Sequence, residues 1–228
     1  MLVISGTPTF PFLGTDPAPV VQGQTLLAEV QSDLALTLTG SFLGHGLNFV
    51  PEEGGYWALA GIDALTPPGP YPVTMVITET RSGDLLTMHE TVTVTGGNFG
   101  TYNIVIPADR AGLLDPTLAR QERAKVNAVF AGRSSEQRWT GAFDCPLAGD
   151  LVTTAPFGQR RSYNGGPVSS YHSGRDLDAE VGTPIYAPAN GVVALAEPLQ
   201  VRGQVVIIDH GLGVFTAFWH LSQIDVTA

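Results

Sequence analysis

Between Thr25 and Thr95 apolar residues recur two positions apart, and each run stops at a cluster of turn-forming residues. That period constrains the fold more than anything else in the chain. Val73, Met75 and Ile77 alternate with Thr74 and Thr78, and Val92 and Val94 alternate with Thr91, Thr93 and Thr95. An extended backbone puts such alternate residues on opposite faces, one apolar and one polar, as in a half-buried strand. The spacing predicts strands at Thr25–Val30, Leu34–Thr39, Tyr56–Ile62, Tyr71–Thr78 and Leu85–Thr95. Glu53-Gly54-Gly55, Pro67-Pro68-Gly69-Pro70 and Ser82-Gly83-Asp84 supply turn chemistry between them. Residues 1–96 therefore read as an immunoglobulin-like β-sandwich.

Charge excludes several partners. The net charge is −10 with only 11 Lys and Arg, so no basic cluster is present to displace counterions from nucleic acid or to hold a membrane surface. The longest apolar runs, such as Val205–Ile208, are too short to span a bilayer. Met1-Leu2-Val3-Ile4 lacks the basic and apolar regions of a secretory leader, so the chain is expected to be intracellular or already processed. Cys145 is the one cysteine and permits no internal disulfide; beside Pro146 and Leu147 it reads as a small buried residue.

After Gly96-Gly97-Asn98 comes a connector, residues 97–139, with a further strand at Tyr102–Pro107 and a helix at 115–131. Asp115 is a good N-cap, Pro116 suits the first helical position and Gly132 suits the stop. Leu118, Val126, Val129 and Phe130 mark its apolar stripe, with Gln121, Glu122, Arg123 and Lys125 polar. From Thr140 onward short strands alternate with glycine and proline. Val205–Asp209 and Val214–His220 flank His210-Gly211-Leu212-Gly213 and read as a hairpin, with Val214, Thr216, Phe218 and His220 on one face. His172 and Asp176 are four residues apart. If the stretch is extended, they converge on one side with Gly174 between them, either as a surface hydrogen bond or as half of a zinc site.

Five ordered segments resemble the lysostaphin-type (LytM-type) zinc metalloendopeptidases, which cut peptidoglycan peptides. Pro156-Phe157-Gly158-Gln159-Arg160 resembles the family's P-F-G-x-R, and His172-Ser173-Gly174-Arg175-Asp176 its H-x-G-x-D. Gly182-Thr183-Pro184-Ile185-Tyr186-Ala187 with Asn190-Gly191-Val192-Val193 resembles its G-T-P-V-x-A and D-G-x-V strands. Val205–Gly211 and Phe218-Trp219-His220-Leu221-Ser222 resemble V-x-I-x-H-G and Y-x-H-L-S.

The resemblance implies that His172 and Asp176 are zinc ligands and that His220 is the active-site histidine that is not a ligand. It implies a third ligand in a later H-x-H motif, and no H-x-H occurs in residues 1–228. Residues 140–228 are thus expected to be the N-terminal part of an antiparallel, duplicated-hybrid-motif-like β domain, completed by a C-terminal fragment of the same protein. Peptidoglycan peptides are the implied substrate, and the cell envelope, extracellular or periplasmic, is the implied location. His45, His89 and His210 are expected to be structural or solvated, Asp178 second to the metal or solvated, and Arg160 and Arg161 a surface pair. A rival reading is a non-catalytic envelope scaffold or regulator that keeps the groove without the metal. A carrier or sugar-phosphotransfer domain shares the hybrid motif, but it needs a turn lysine or a paired histidine site that is absent here.

Overall fold

The structure, a computed structural model, describes residues 2–3, 19–107, 115–132, 134–149 and 152–228. Residues 4–18 of the expected sandwich, residues 108–114 of the connector, and Met1 and Ile4 of the N-terminal reading lie outside them. The strands, in order, are β1 Leu2–Val3, β2 Val20–Val21, β3 Thr25–Gln31, β4 Leu36–Phe42, β5 His45–Leu47, β6 Val50–Glu52, β7 Gly55–Gly61, β8 Gly69–Glu79 and β9 Leu85–Thr95. Then come β10 Thr101–Ile104, α1 Pro116–Ala131, β11 Thr153–Ala155, β12 Arg160–Tyr163, β13 Val168–Tyr171, β14 Asp176–Leu177, β15 Val192–Leu199, β16 Gly203–Gly211 and β17 Val214–Leu221. The fold is mainly β, and α1 is the one helix among the described residues.

Two compact units form. The first comprises Met1–Tyr102, Pro156–Ser162 and Val168–Gly174; the second comprises Asn103–Ala155, Tyr163–Pro167 and Arg175–Ala228. In the first unit one sheet runs β1-β3-β7-β6 and another runs β2-β9-β8-β4-β5. The alternation read from the sequence is what the core uses: Val73, Met75 and Ile77 of β8 are buried with Val92 and Val94 of β9, Val30, Phe42 and Ala58. Each such valine, isoleucine, methionine or phenylalanine side chain removed from water contributes about 1.5–3 kcal/mol. β4 starts at Leu36 rather than Leu34, because the Leu34 N–H donates to Ser32 Oγ at 3.1 Å and closes a turn. It continues through Gly40, where an added Cβ would lie 3.1 Å from the Thr74 carbonyl oxygen.

In the second unit α1 lies on the sheet β15-β16-β17. Asp115 accepts from the Thr117 N–H at 2.7 Å and caps the helix as its sequence predicts. Val126, Val205 and Ile207 are buried there, with Val129, Phe130, Leu195, Phe215 and Trp219 packed around them. One expectation fails in an informative way. Glu122 is not on the solvent side; it is 5% exposed and lies in the buried row with Val126. The hairpin loop is also shorter than the sequence suggests. Leu212 (φ +55) and Gly213 (φ +80) make the two-residue turn, and their left-handed backbone matches the strand twist. His210 and Gly211 therefore belong to β16.

Candidate active site

His172 follows β13 in the first unit and is 8% exposed. Its N–H donates to the Gln159 carbonyl at 2.8 Å, and its own carbonyl accepts from the Gly158 N–H at 2.8 Å. Its ring Nδ1 lies 3.1 Å from the Pro156 carbonyl oxygen. A carbonyl only accepts, so Nδ1 carries the proton and, in the neutral ring, Nε2 carries the lone pair. Nε2 faces the Gly174 bend: a Cβ added there would lie 3.8 Å from it. A histidine that ligates a metal commonly has its other nitrogen held by a backbone carbonyl in this way. The donor set at His172 thus fits a metal bound through Nε2.

Around this histidine the Phe157 ring meets Phe99 at 6.0 Å and Tyr171 at 6.1 Å, both edge to face. Tyr171 donates its hydroxyl to Asp63 Oδ2 at 2.7 Å. Burial, and then the hydrogen bond and charge of Asp63, push the tyrosine pKa up to about 12. The folded state therefore favours the neutral phenol. That contribution is complete below the ordinary tyrosine value of about 10 and is lost as pH rises from there toward the folded value. Denaturant midpoints measured across that window should fall more steeply for the native protein than for Tyr171→Phe.

Asp176 opens β14 in the second unit and is exposed. β14 pairs with β11 in the register Ala155↔Asp176 and Thr153↔Leu177. The Asp178 N–H donates to the Val152 carbonyl at 2.9 Å, and Arg175 Nε donates to Thr153 Oγ1 at 2.7 Å. The stretch from Tyr171 to Asp178 is not one extended run. β13 ends at Tyr171, the chain bends at Gly174, and β14 begins at Asp176. The strand-face argument for bringing His172 and Asp176 together therefore does not apply; a bend, not an alternation, separates them.

His220 is exposed, at the end of β17 in the second unit. It has φ +57, and its N–H donates to the Arg202 carbonyl at 2.9 Å. Val206 pairs with Phe218 and Gln204 with Leu221, so Trp219 and His220 together oppose Val205 in a β-bulge. The bulge corrects the expectation that His220 simply shares the face of Phe218. Trp219 packs on the α1 side with Phe215 and Ala217, and the extra residue breaks the alternation at the end of the strand.

Of the other histidines, His45 and His89 are exposed. His210 is 0% exposed. Its Nδ1–H donates to the Asn190 carbonyl at 2.7 Å, which leaves Nε2 to accept from Thr216 Oγ1 at 2.8 Å. His89 Nδ1 lies 3.2 Å from Thr74 Oγ1. Cys145 is exposed, contrary to expectation. Arg161 is half-buried in β12, and its Nε has no hydrogen-bond partner among the described residues, so it is not a plain surface arginine. Among the described residues no three His, Cys, Asp or Glu side chains gather into a metal-holding group. Sequence reading missed the Pro156 carbonyl, since a backbone acceptor 16 residues from His172 leaves no residue-type signal. It also missed Glu122, whose place four residues before Val126 in the buried row was a usable one.

Residues 170–228 match the model of Peptidase family M23. The peptidoglycan DD-endopeptidase ShyA of Vibrio cholerae serotype O1 is 38% identical over 55 residues, which cover 24% of this chain and 13% of ShyA. The aligned stretch is thus a small part of that relative. A crystal structure from Pseudomonas aeruginosa assigned to peptidase M23 superposes with a TM-score of 0.62 at 26% identity, covering 92% of this chain and 77% of that one. The fold is mainly β, as in that M23 structure. Residues 170–228 are thus similar to the M23, LytM-type peptidases.

Proposed function

We propose that this chain is part of a zinc-dependent endopeptidase that hydrolyses peptide bonds in the stem peptide or cross-bridge of bacterial peptidoglycan. The observation that carries the reading is the M23 match over residues 170–228, a segment that contains His172, Asp176 and His220. When bound, zinc polarises a scissile carbonyl and makes water a nucleophile at neutral pH. His172 would hold the metal through Nε2 while Nδ1–H stays on Pro156, and the Asp176 carboxylate would be the second ligand. Catalytic zinc takes three protein ligands, and a histidine would be the third. His220 donates a ring N–H to the oxyanion that develops on the scissile carbonyl, and its backbone is held by Arg202.

Residues 140–228 carry this chemistry, with 97–139 as the connector. The order β3-β7-β6 in one sheet and β2-β9-β8-β4-β5 in the other supports the immunoglobulin-like reading of residues 1–96. That region anchors or positions the enzyme at the cell envelope, where its substrate lies. No helix among the described residues is long and apolar enough to cross a membrane.

The test is digestion of purified peptidoglycan by the full-length protein, stripped of metal with a chelator and then resupplied with zinc. Mass spectrometry should find new peptide amino and carboxyl termini only in the zinc sample. Binding to peptidoglycan without new termini would identify a scaffold instead.

A further inference from the structure

We infer that Glu122 of α1 is a positioning residue for His220; the inference rests on the catalytic reading of His220. Glu122 Oε1 accepts the Val201 N–H at 2.8 Å, and Oε2 accepts an Arg202 guanidinium N–H at 2.9 Å. One carboxylate therefore grips two successive residues of the turn between β15 and β16. Arg202 passes that constraint to the end of β17 twice. Its carbonyl accepts the His220 N–H at 2.9 Å, and its guanidinium lies over the Trp219 ring, 5.7 Å from the centroid. Gly203 (φ +65) closes the corner: a Cβ there would lie 3.2 Å from His220 Cα and 3.4 Å from its Nδ1.

Packing alone does not call for this carboxylate. Glu122 lies in the row with Val126, where a leucine or methionine would fill the space without desolvating a charge. A buried carboxylate must be paired and hydrogen-bonded to be tolerated, and here all of that pairing is directed at the turn that holds His220. The left-handed backbone at His220 is one that non-glycine residues keep only where surrounding structure imposes it. The clamp from Glu122 through Arg202 imposes it. α1 is thereby part of the catalytic apparatus rather than only a connector.

The experiment compares Glu122→Gln, Glu122→Met and His220→Ala with the native full-length zinc protein. It measures peptidoglycan hydrolysis, zinc content and exchange of the His220 amide hydrogen. Glu122→Met should exchange that hydrogen faster and lose about 10–100-fold in kcat, taking the range seen for outer partners of metal ligands as the guide, with KM and zinc content unchanged. Glu122→Gln keeps an acceptor for Val201 and should fall between; if Glu122→Met does not fold, it carries the test. Native exchange at His220, or full kcat in the Glu122 variants beside an inactive His220→Ala, overturns the positioning role alone. Full hydrolysis by His220→Ala overturns the catalytic reading of His220 and this inference with it.

Discussion

His172→Ala is expected to strip zinc from the protein and abolish peptidoglycan hydrolysis. The side chain is buried to 8% exposure, and its ring is oriented by the Pro156 carbonyl so that Nε2 carries the lone pair. Losing only an outer partner of a metal ligand costs about 10–100-fold in metal affinity or activity. Losing the ligand must cost more, because two remaining protein ligands define neither the geometry nor the open position of a catalytic zinc. Asp176→Asn should act in the same direction by removing the anionic ligand while keeping the shape. Metal analysis of the purified variants beside their hydrolysis rates is the check. Native zinc content in His172→Ala would remove His172 from the ligand set.

His220→Ala is expected to behave differently. Hydrolysis should fall about 10²–10³-fold, the effect of deleting one donor to a developing oxyanion, while zinc content stays native. The side chain is exposed and its backbone is already fixed by Arg202, so truncation at Cβ leaves the bulge its hydrogen bond and should cost little stability. The two variants thus separate the roles: both lose hydrolysis, and only His172→Ala loses metal. Loss of zinc in His220→Ala would make His220 a ligand instead.

The parts of this protein that were legible in its sequence are those where one physical rule acts locally. Val73, Met75 and Ile77 alternate in sequence and are buried together, because one face of β8 meets the core. Asp115 and Pro116 announce the start of α1, because the cap needs nothing beyond its own first turn. The similarity to the M23 peptidases was legible from ordered motifs beginning at Pro156, and the family model matches residues 170–228 of that stretch. What was not legible depended on residues far apart. The bend at Gly174 breaks a stretch that period alone would extend. The bulge at His220 follows from Trp219 packing toward α1 while Arg202 holds the His220 amide, and neither partner is near in sequence. Glu122 stands in the buried row four residues before Val126, but its partners Val201 and Arg202 lie 79 and 80 residues away in sequence. Cys145 looked buried beside Pro146 and Leu147, yet Leu147 alone of the three is buried.

The most direct test of the zinc assignment is X-ray absorption at the zinc edge, on the full-length native protein and on His172→Ala. The assigned ligands predict only nitrogen and oxygen neighbours at about 2.0–2.2 Å in the native protein, with imidazole scattering, and no zinc in the variant. A sulfur shell at about 2.3 Å, an unchanged spectrum in His172→Ala, or no zinc in the native protein would contradict the assignment.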